Sequence, residues 1–261
     1  MTNPIVIIGE QFVQPVAYAE LAARLAKPPY ERWCFVVPFP AWRWTLMRGG
    51  DYSALVDALA RSVAVARAES GMERVTLLAH GAGGWAARIY LGDQPYGGTV
   101  YNGHQHVDQL LTLGTPHRSL ARPTARLTQW LHTAYPGAYW PYLRYTSVIG
   151  RSIIGDPYGT LPQRRVHRVY RAQTGDGTEW GDGVVPLAST YLPGAAHYVL
   201  PGVTHLPGPP TFYGGTDAVA RWGRYLCEDA PDRDTTEAMR TPFATPITDA
   251  MASTPMFSRG S

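Results

Sequence analysis

Short apolar runs alternate with helical stripes through the first 115 residues, and this alternation constrains the fold more than any other feature. Pro4 to Ile8 is a continuous apolar run, as expected of a strand buried on both faces. Ala17 to Leu25 carries Leu21 and Leu25 one helical turn apart and stops at Pro28-Pro29. Trp33 to Val37 reads as a second buried strand, with Cys34 as a core thiol. Asp51 is a candidate N-cap for a helix through about Ser70, with Leu55, Leu59 and Val63 on one stripe and Gly71 just past its end. Arg74 to Ala79 is the third strand, Gly84 to Leu91 a helix ended by Gly92, and Val107 to Leu113 the fourth strand. Alternation of this kind predicts an α/β fold with a mostly parallel central sheet and helices on both faces.

From Arg118 to about Pro162 the alternation breaks, and Trp130, Tyr135, Tyr139, Trp140, Tyr142 and Tyr145 crowd together. Part of this stretch, Tyr145 to Ile149, fits a further strand. The rest reads as an aromatic-rich insertion (about 118–162) over the active-site edge of the sheet, with Trp130, Tyr139 and Trp140 as candidate pocket residues. Gln163 to Gln173 fits a helix, His197 to Leu200 a last strand, and Asp217 to Leu226 a last helix with Val219, Trp222 and Leu226 on one face. One domain over 1–228 is expected, and 229–261, which lacks periodicity, reads as a loose tail.

The net charge of +3 is spread along the chain without a compact basic run, so no nucleic-acid partner is expected. Two cysteines support neither a disulfide framework nor a zinc site, and no metal or other cofactor is expected. The N-terminus lacks a charged leader, and no apolar run approaches the ~18 residues of a spanning helix, so the expectation is a cytoplasmic protein without a transmembrane segment.

The third strand runs into Ala79-His80-Gly81-Ala82-Gly83-Gly84-Trp85. A strand, a sharp turn of small residues and a helix form the setting of a nucleophile elbow. The turn residue takes strained backbone angles, so its neighbours must be small for strand and helix to pack closely. The residue after it offers a backbone N–H at a helix N-terminus, where developing negative charge is stabilised. In the pattern small-x-Ser-x-Gly, Ala79 and Gly83 fill the flanks and Gly81 stands at the centre. A dinucleotide-binding turn is the competing reading, since Gly81, Gly83 and Ala86 fit its looser spacing. That fingerprint belongs in the first strand–helix unit, however, and here no carboxylate at the end of the next strand could hold a ribose.

Ala79 to Gly92 resembles the nucleophile helix of lipase- and esterase-like α/β-hydrolases, including the group similar to GPI inositol-deacylases, which carry G-H-S-x-G-G here. Thr112-Leu113-Gly114-Thr115-Pro116-His117 resembles their next strand. Trp180 to Pro186 resembles their acid loop, and Gly202-Val203-Thr204-His205 their histidine loop. The four stretches occur in the chain order nucleophile, acid, histidine. The resemblance runs from about Pro4 to Leu226. It implies Asp182 as the acid that fixes the histidine tautomer, and His205 as the general base and acid. Asp176-Gly177 is a rival for the acid, but lacks the Val-Val-Pro that follows Asp182. His197 and His80 read as structural or packing residues, and His117 as a loop residue near the site. The resemblance further implies oxyanion donors in the N–H groups of Ala82 and of Gln11, in the loop Gly9-Glu10-Gln11-Phe12. Family members tend to have Pro-Gly or His-Gly there. Glu10 departs from this, and a carboxylate beside an oxyanion opposes the transition state unless it points away.

Glycine at position 81 cannot form the covalent intermediate of acyl transfer. The expectation is a serine-hydrolase-like protein, of the type that cleaves carboxylic esters, with acid and histidine retained and the nucleophile lost. The alternative is a pseudoenzyme that binds a lipid or acyl ester as its small-molecule partner. A third option, another nucleophile, would have to use Ser119 or Ser147, neither of which sits on an elbow.

Overall fold

A computed structural model describes residues 2–47 and 50–227. The expected tail at 229–261 lies outside them. Six strands form one parallel sheet in the order β2-β1-β3-β4-β5-β8: β1 (Ile5–Ile8), β2 (Cys34–Val36), β3 (Val75–His80), β4 (Val107–Leu113), β5 (Arg144–Arg151) and β8 (Ala196–Pro201). A two-stranded antiparallel ribbon, β6 (Ile153–Ile154) with β7 (Trp180–Gly181), lies between β5 and β8 in the chain.

β1 shows why the apolar runs are continuous. Successive side chains point to opposite faces, so Val6 and Ile8 join one core cluster while Ile5 and Ile7 join the other. The first cluster packs under α2 (Ser53–Ser70), α3 (Gly83–Leu91) and α4 (Arg122–Ala134) through Leu55, Leu59, Ile89 and Leu131. The second packs under α1 (Ala19–Leu25) and α6 (Thr216–Trp222) through Leu21, Leu25, Val219 and Trp222. The remaining helix is α5 (Leu161–Thr174), opened by a capping box between Thr160 and Gln163 and ended by left-handed Gly175. Gly71 ends α2 in the same conformation.

β2 is less buried than expected. It is the edge strand, so its residues are only partly covered and Trp33 is 60% exposed. Cys34 is correspondingly partly covered rather than a core thiol.

The stretch 118–162 is largely an ordinary crossover. α4 leads from the C-terminal end of β4 back to the N-terminal end of β5, as a right-handed parallel connection needs. The chain runs from β1 outward to β2 and returns to β3, so β1 and β3 flank the point where strand order reverses. In open α/β sheets ligands bind at such a point, beyond the carboxyl ends of the strands. Glu10 follows β1 at that edge, Gly81 follows β3, and His205 follows β8. Among the described residues no helix is long and apolar enough to cross a membrane.

Candidate active site

Gly81 begins the turn after β3 with φ +51°, the left-handed region that glycine enters without a Cβ clash. Its N–H donates to Leu113 O (3.0 Å), and its carbonyl accepts from Thr115 Oγ1 (2.9 Å), so β4 and the loop after it fix the turn. Gly83 and Gly84 allow the close approach that the pattern demanded. A Cβ on Gly83 would press on the backbone of Ile8 and Gly9, and one on Gly84 on the Thr115 side chain. The chain thus passes sharply from strand to helix, with α3 starting two residues after Gly81.

The structure brings Asp182 and His205 to this turn. His205 Nδ1 donates to Asp182 Oδ2 (2.7 Å), and both side chains are buried. Asp182 is held by its surroundings: Oδ1 accepts the N–H groups of Val184 (3.0 Å) and Val185 (2.7 Å). Oδ2 also accepts the Tyr213 hydroxyl (2.7 Å), which in turn accepts the N–H of Gly150 (2.8 Å). Asp176, the rival carboxylate, only accepts the N–H of Thr178 within its own turn.

Glu10 completes the arrangement. His205 Nε2 donates to Glu10 Oε2 (2.8 Å). The N–H of Ala82 reaches the same oxygen (3.3 Å), and the N–H of Gln11 is hydrogen-bonded to Oε1. A Cβ built on Gly81 would overlap Glu10 Oε2 and Cδ. The carboxylate therefore occupies the space of a side chain at position 81, and both expected oxyanion donors point at it. Glu10 does not point away, as an open oxyanion site would require. Sequence reasoning noted Glu10 as a departure but missed its partner. The signal was present in the pairing of two departures, a missing side chain at Gly81 and an added one at Glu10.

Both imidazole nitrogens of His205 face carboxylate oxygens, so both carry protons. Burial alone would lower its pKa. The charge and hydrogen bond of Asp182, followed by those of Glu10, outweigh that effect and push it up to about 10. His80 lies against this ring, 4.6 Å between centroids. Burial first, then the charge of His205, hold His80 well below the ordinary histidine range. Its Nδ1 accepts from the Tyr18 hydroxyl (2.8 Å), while the Tyr18 oxygen accepts the N–H of Glu10 (2.7 Å). Tyr18 thus ties the loop that carries Glu10 to His80, the last residue of β3 before Gly81. Neither Tyr18 nor Tyr213 was anticipated, because each enters from an element remote in sequence.

Trp130, Tyr139 and Trp140 are not at this site. Trp140 Nε1 donates to Leu91 O (3.1 Å) at the far end of α3, and a nine-residue helix is about 13 Å long. Their rings pack with Tyr96, Tyr135 and His104 instead. The cause is the direction of α4, which runs back toward the N-terminal ends of the strands, so Trp130 in its second half and Tyr139 and Trp140 beyond it lie away from Gly81. An apolar crevice opens beside Glu10, lined by Val13, Val37, Phe39, Trp44 and Leu55. Ser147 is buried in β5 and donates to Thr190 O (3.0 Å), and Ser119 accepts the N–H of Ala121 (3.2 Å) before α4. Neither serine belongs to the site. His117 and His197 are also buried and bond to Thr112 and Leu192, respectively. No group of three or more potential metal ligands occurs among the described residues.

No family profile and no curated protein sequence matches the chain. Solved structures do. Phospholipase PlaB from Legionella pneumophila, in complex with thio-NAD, superposes with a TM-score of 0.57 at 15% identity, over 92% of this chain and 61% of its own. The fold is that of an α/β-hydrolase. The product of the gene lin2722 from Listeria innocua superposes over 90% of this chain and 97% of its own, with a TM-score of 0.56 at 14% identity. At such identity the likeness extends to the arrangement of strands and helices that carries the site, and not to its chemistry.

Proposed function

We propose that this chain is a serine-hydrolase-like protein of the esterase or lipase type whose ester-cleaving chemistry has been silenced. The observation that carries the reading is the position of Glu10. Its carboxylate fills the space over Gly81 and engages His205 Nε2 and the N–H groups of Ala82 and Gln11. Gly81 supplies no hydroxyl, Asp182 and His205 keep the arrangement that would activate one, and a carboxylate occupies the seat of the oxyanion.

Loss of the nucleophile alone costs such sites on the order of 10⁶ in turnover. The ~10³–10⁴ that can survive comes from the oxyanion hole and substrate binding. Here the N–H donors already hold a negative charge, so a second oxyanion beside it is opposed. Glu10 thereby removes the residual route as well.

A second reading, binding of a lipid or acyl ester, is favoured by the crevice of Phe39, Trp44 and Leu55 beside Glu10. A fluorophosphonate probe separates silence from activity. The native chain remains unlabelled, whereas Gly81→Ser combined with Glu10→Gly is labelled at residue 81. Stoichiometric labelling of the native chain at any serine would refute the reading.

A further inference from the structure

Silence toward esters does not make the site chemically inert. Glu10 Oε2 is placed where an attacking oxygen at position 81 would stand, and it has the partner such an oxygen would have, His205 Nε2 at 2.8 Å. Glu10 lines the apolar crevice of Val37, Phe39 and Trp44, and its side chain keeps 13% exposure, so it is not sealed off. A carboxylate is itself a nucleophile capable of covalent catalysis.

We propose that Glu10 is a nucleophile and that the site hydrolyses substrates at a saturated carbon bearing a weakly basic leaving anion, such as an alkyl halide or alkyl sulfonate. The proposal rests on reading Gly81, Asp182 and His205 as a hydrolase site.

The choice of substrate follows from leaving-group chemistry. Attack of a carboxylate on an ester would have to expel an alkoxide far more basic than itself, so the adduct collapses back. At a saturated carbon, Oε2 forms the new C–O bond while the carbon–leaving-group bond breaks and its electron pair departs with the anion. A glutamyl ester results. Its carbonyl oxygen, Oε1, remains on the Gln11 N–H, where an oxyanion is stabilised during the second step.

Alkylation removes the charge of Glu10, and with it one of the two carboxylates that hold the proton on His205. His205 releases that proton to solvent. Still oriented by Asp182, it then takes a proton from a water that attacks Glu10 Cδ. Collapse expels the alcohol, protonated by His205, and the regenerated carboxyl returns its proton to the ring. The sum is alkyl substrate plus water giving alcohol, leaving anion and one proton. The crevice has apolar walls and about 10 Å³ of free space, which limits the alkyl group to the size of a methyl.

Methyl 4-nitrobenzenesulfonate tests this in oxygen-18 water. After turnover, peptide mass spectrometry of the native chain is expected to find oxygen-18 in the Glu10 carboxylate, because water attacks Cδ. His205→Gln is expected to accumulate a methyl ester on Glu10, and Glu10→Gln to lose methanol release. A native chain whose Glu10 acquires no oxygen-18, while exposed carboxylates such as Glu20 become methylated, overturns the proposal whether or not His205→Gln folds. Hydrolysis of p-nitrophenyl acetate by the same native sample is read separately. Its absence leaves the alkyl result standing, and its presence contradicts only the reading of ester silence.

Discussion

Glu10 and Gly81 are complementary: the carboxylate of one takes up the volume that a side chain on the other would need. Neither departure is intelligible alone. A side chain at position 81 would expel Glu10 from its place between His205 and the N–H groups of Ala82 and Gln11. Without Glu10, His205 Nε2 would lose its carboxylate partner.

The network makes stability depend on pH. His205 sits near 6.5 when unfolded and about 10 when folded. Because the folded value is raised, its stabilisation is fully present below about 6.5 and is lost as pH rises through about 10. The loss is on the order of a few kcal/mol. His80 and His117 act in the other direction. Both are buried and held well below the ordinary range, so the unfolded chain takes up their protons, and stability falls as pH drops below about 6.5. Urea denaturation from pH 5 to 10 is expected to give a maximum near neutrality. Glu10→Gln is expected to flatten the alkaline side, and an unchanged alkaline slope would contradict the role given to Glu10.

Tyr213 is a positioning residue for Asp182. Its hydroxyl accepts the buried Gly150 N–H and donates to Asp182 Oδ2. Tyr213→Phe removes both contacts and leaves a buried donor unpaired, at a cost of about 1–3 kcal/mol. Chemical denaturation measures this. A titration of the His205 ring by NMR is expected to shift in the same variant, which loss of packing alone would not cause.

The aromatic cluster is predicted to be structural. Trp140→Ala removes a side chain packed on His104 and Tyr139, with an expected cost of about 3 kcal/mol or less, since the site is only partly buried. The His205 titration is expected to stay where it is in the native chain. A displaced titration would mean that the cluster communicates with the site.

Much of the fold was legible because β1, β3 and β4 are buried on both faces and therefore apolar throughout, while α2 and α3 carry clear stripes. β2 was misjudged because an edge strand with one covered side can also show a continuous apolar run. Gly81 stands out in a local motif, Asp182, His205, Ala82 and Gln11 follow from the family resemblance, and the structure brings all five together. Trp130, Tyr139 and Trp140 could not be placed, because aromatic content says nothing about which edge of a sheet a crossover reaches. Tyr213 and Tyr18 were invisible for a related reason. Each contacts the site across a long sequence separation, 31 residues from Asp182 and 62 from His80. Glu10 was seen but its orientation was not, since the direction of a loop side chain depends on the vacancy it finds.

The claim that Glu10 and Gly81 together silence an otherwise intact ester site is tested most directly by p-nitrophenyl butyrate hydrolysis. Four proteins are compared: the native chain, Gly81→Ser, Glu10→Gly and the double variant. The account predicts turnover by the double variant, less by Gly81→Ser, where the displaced Glu10 carboxylate stays near the N–H donors, and none by the native chain or Glu10→Gly. Serine at position 81 cannot coexist with Glu10 in its present place, and Glu10→Gly still lacks a nucleophile. Turnover by the native chain, lost in His205→Gln, would contradict the account.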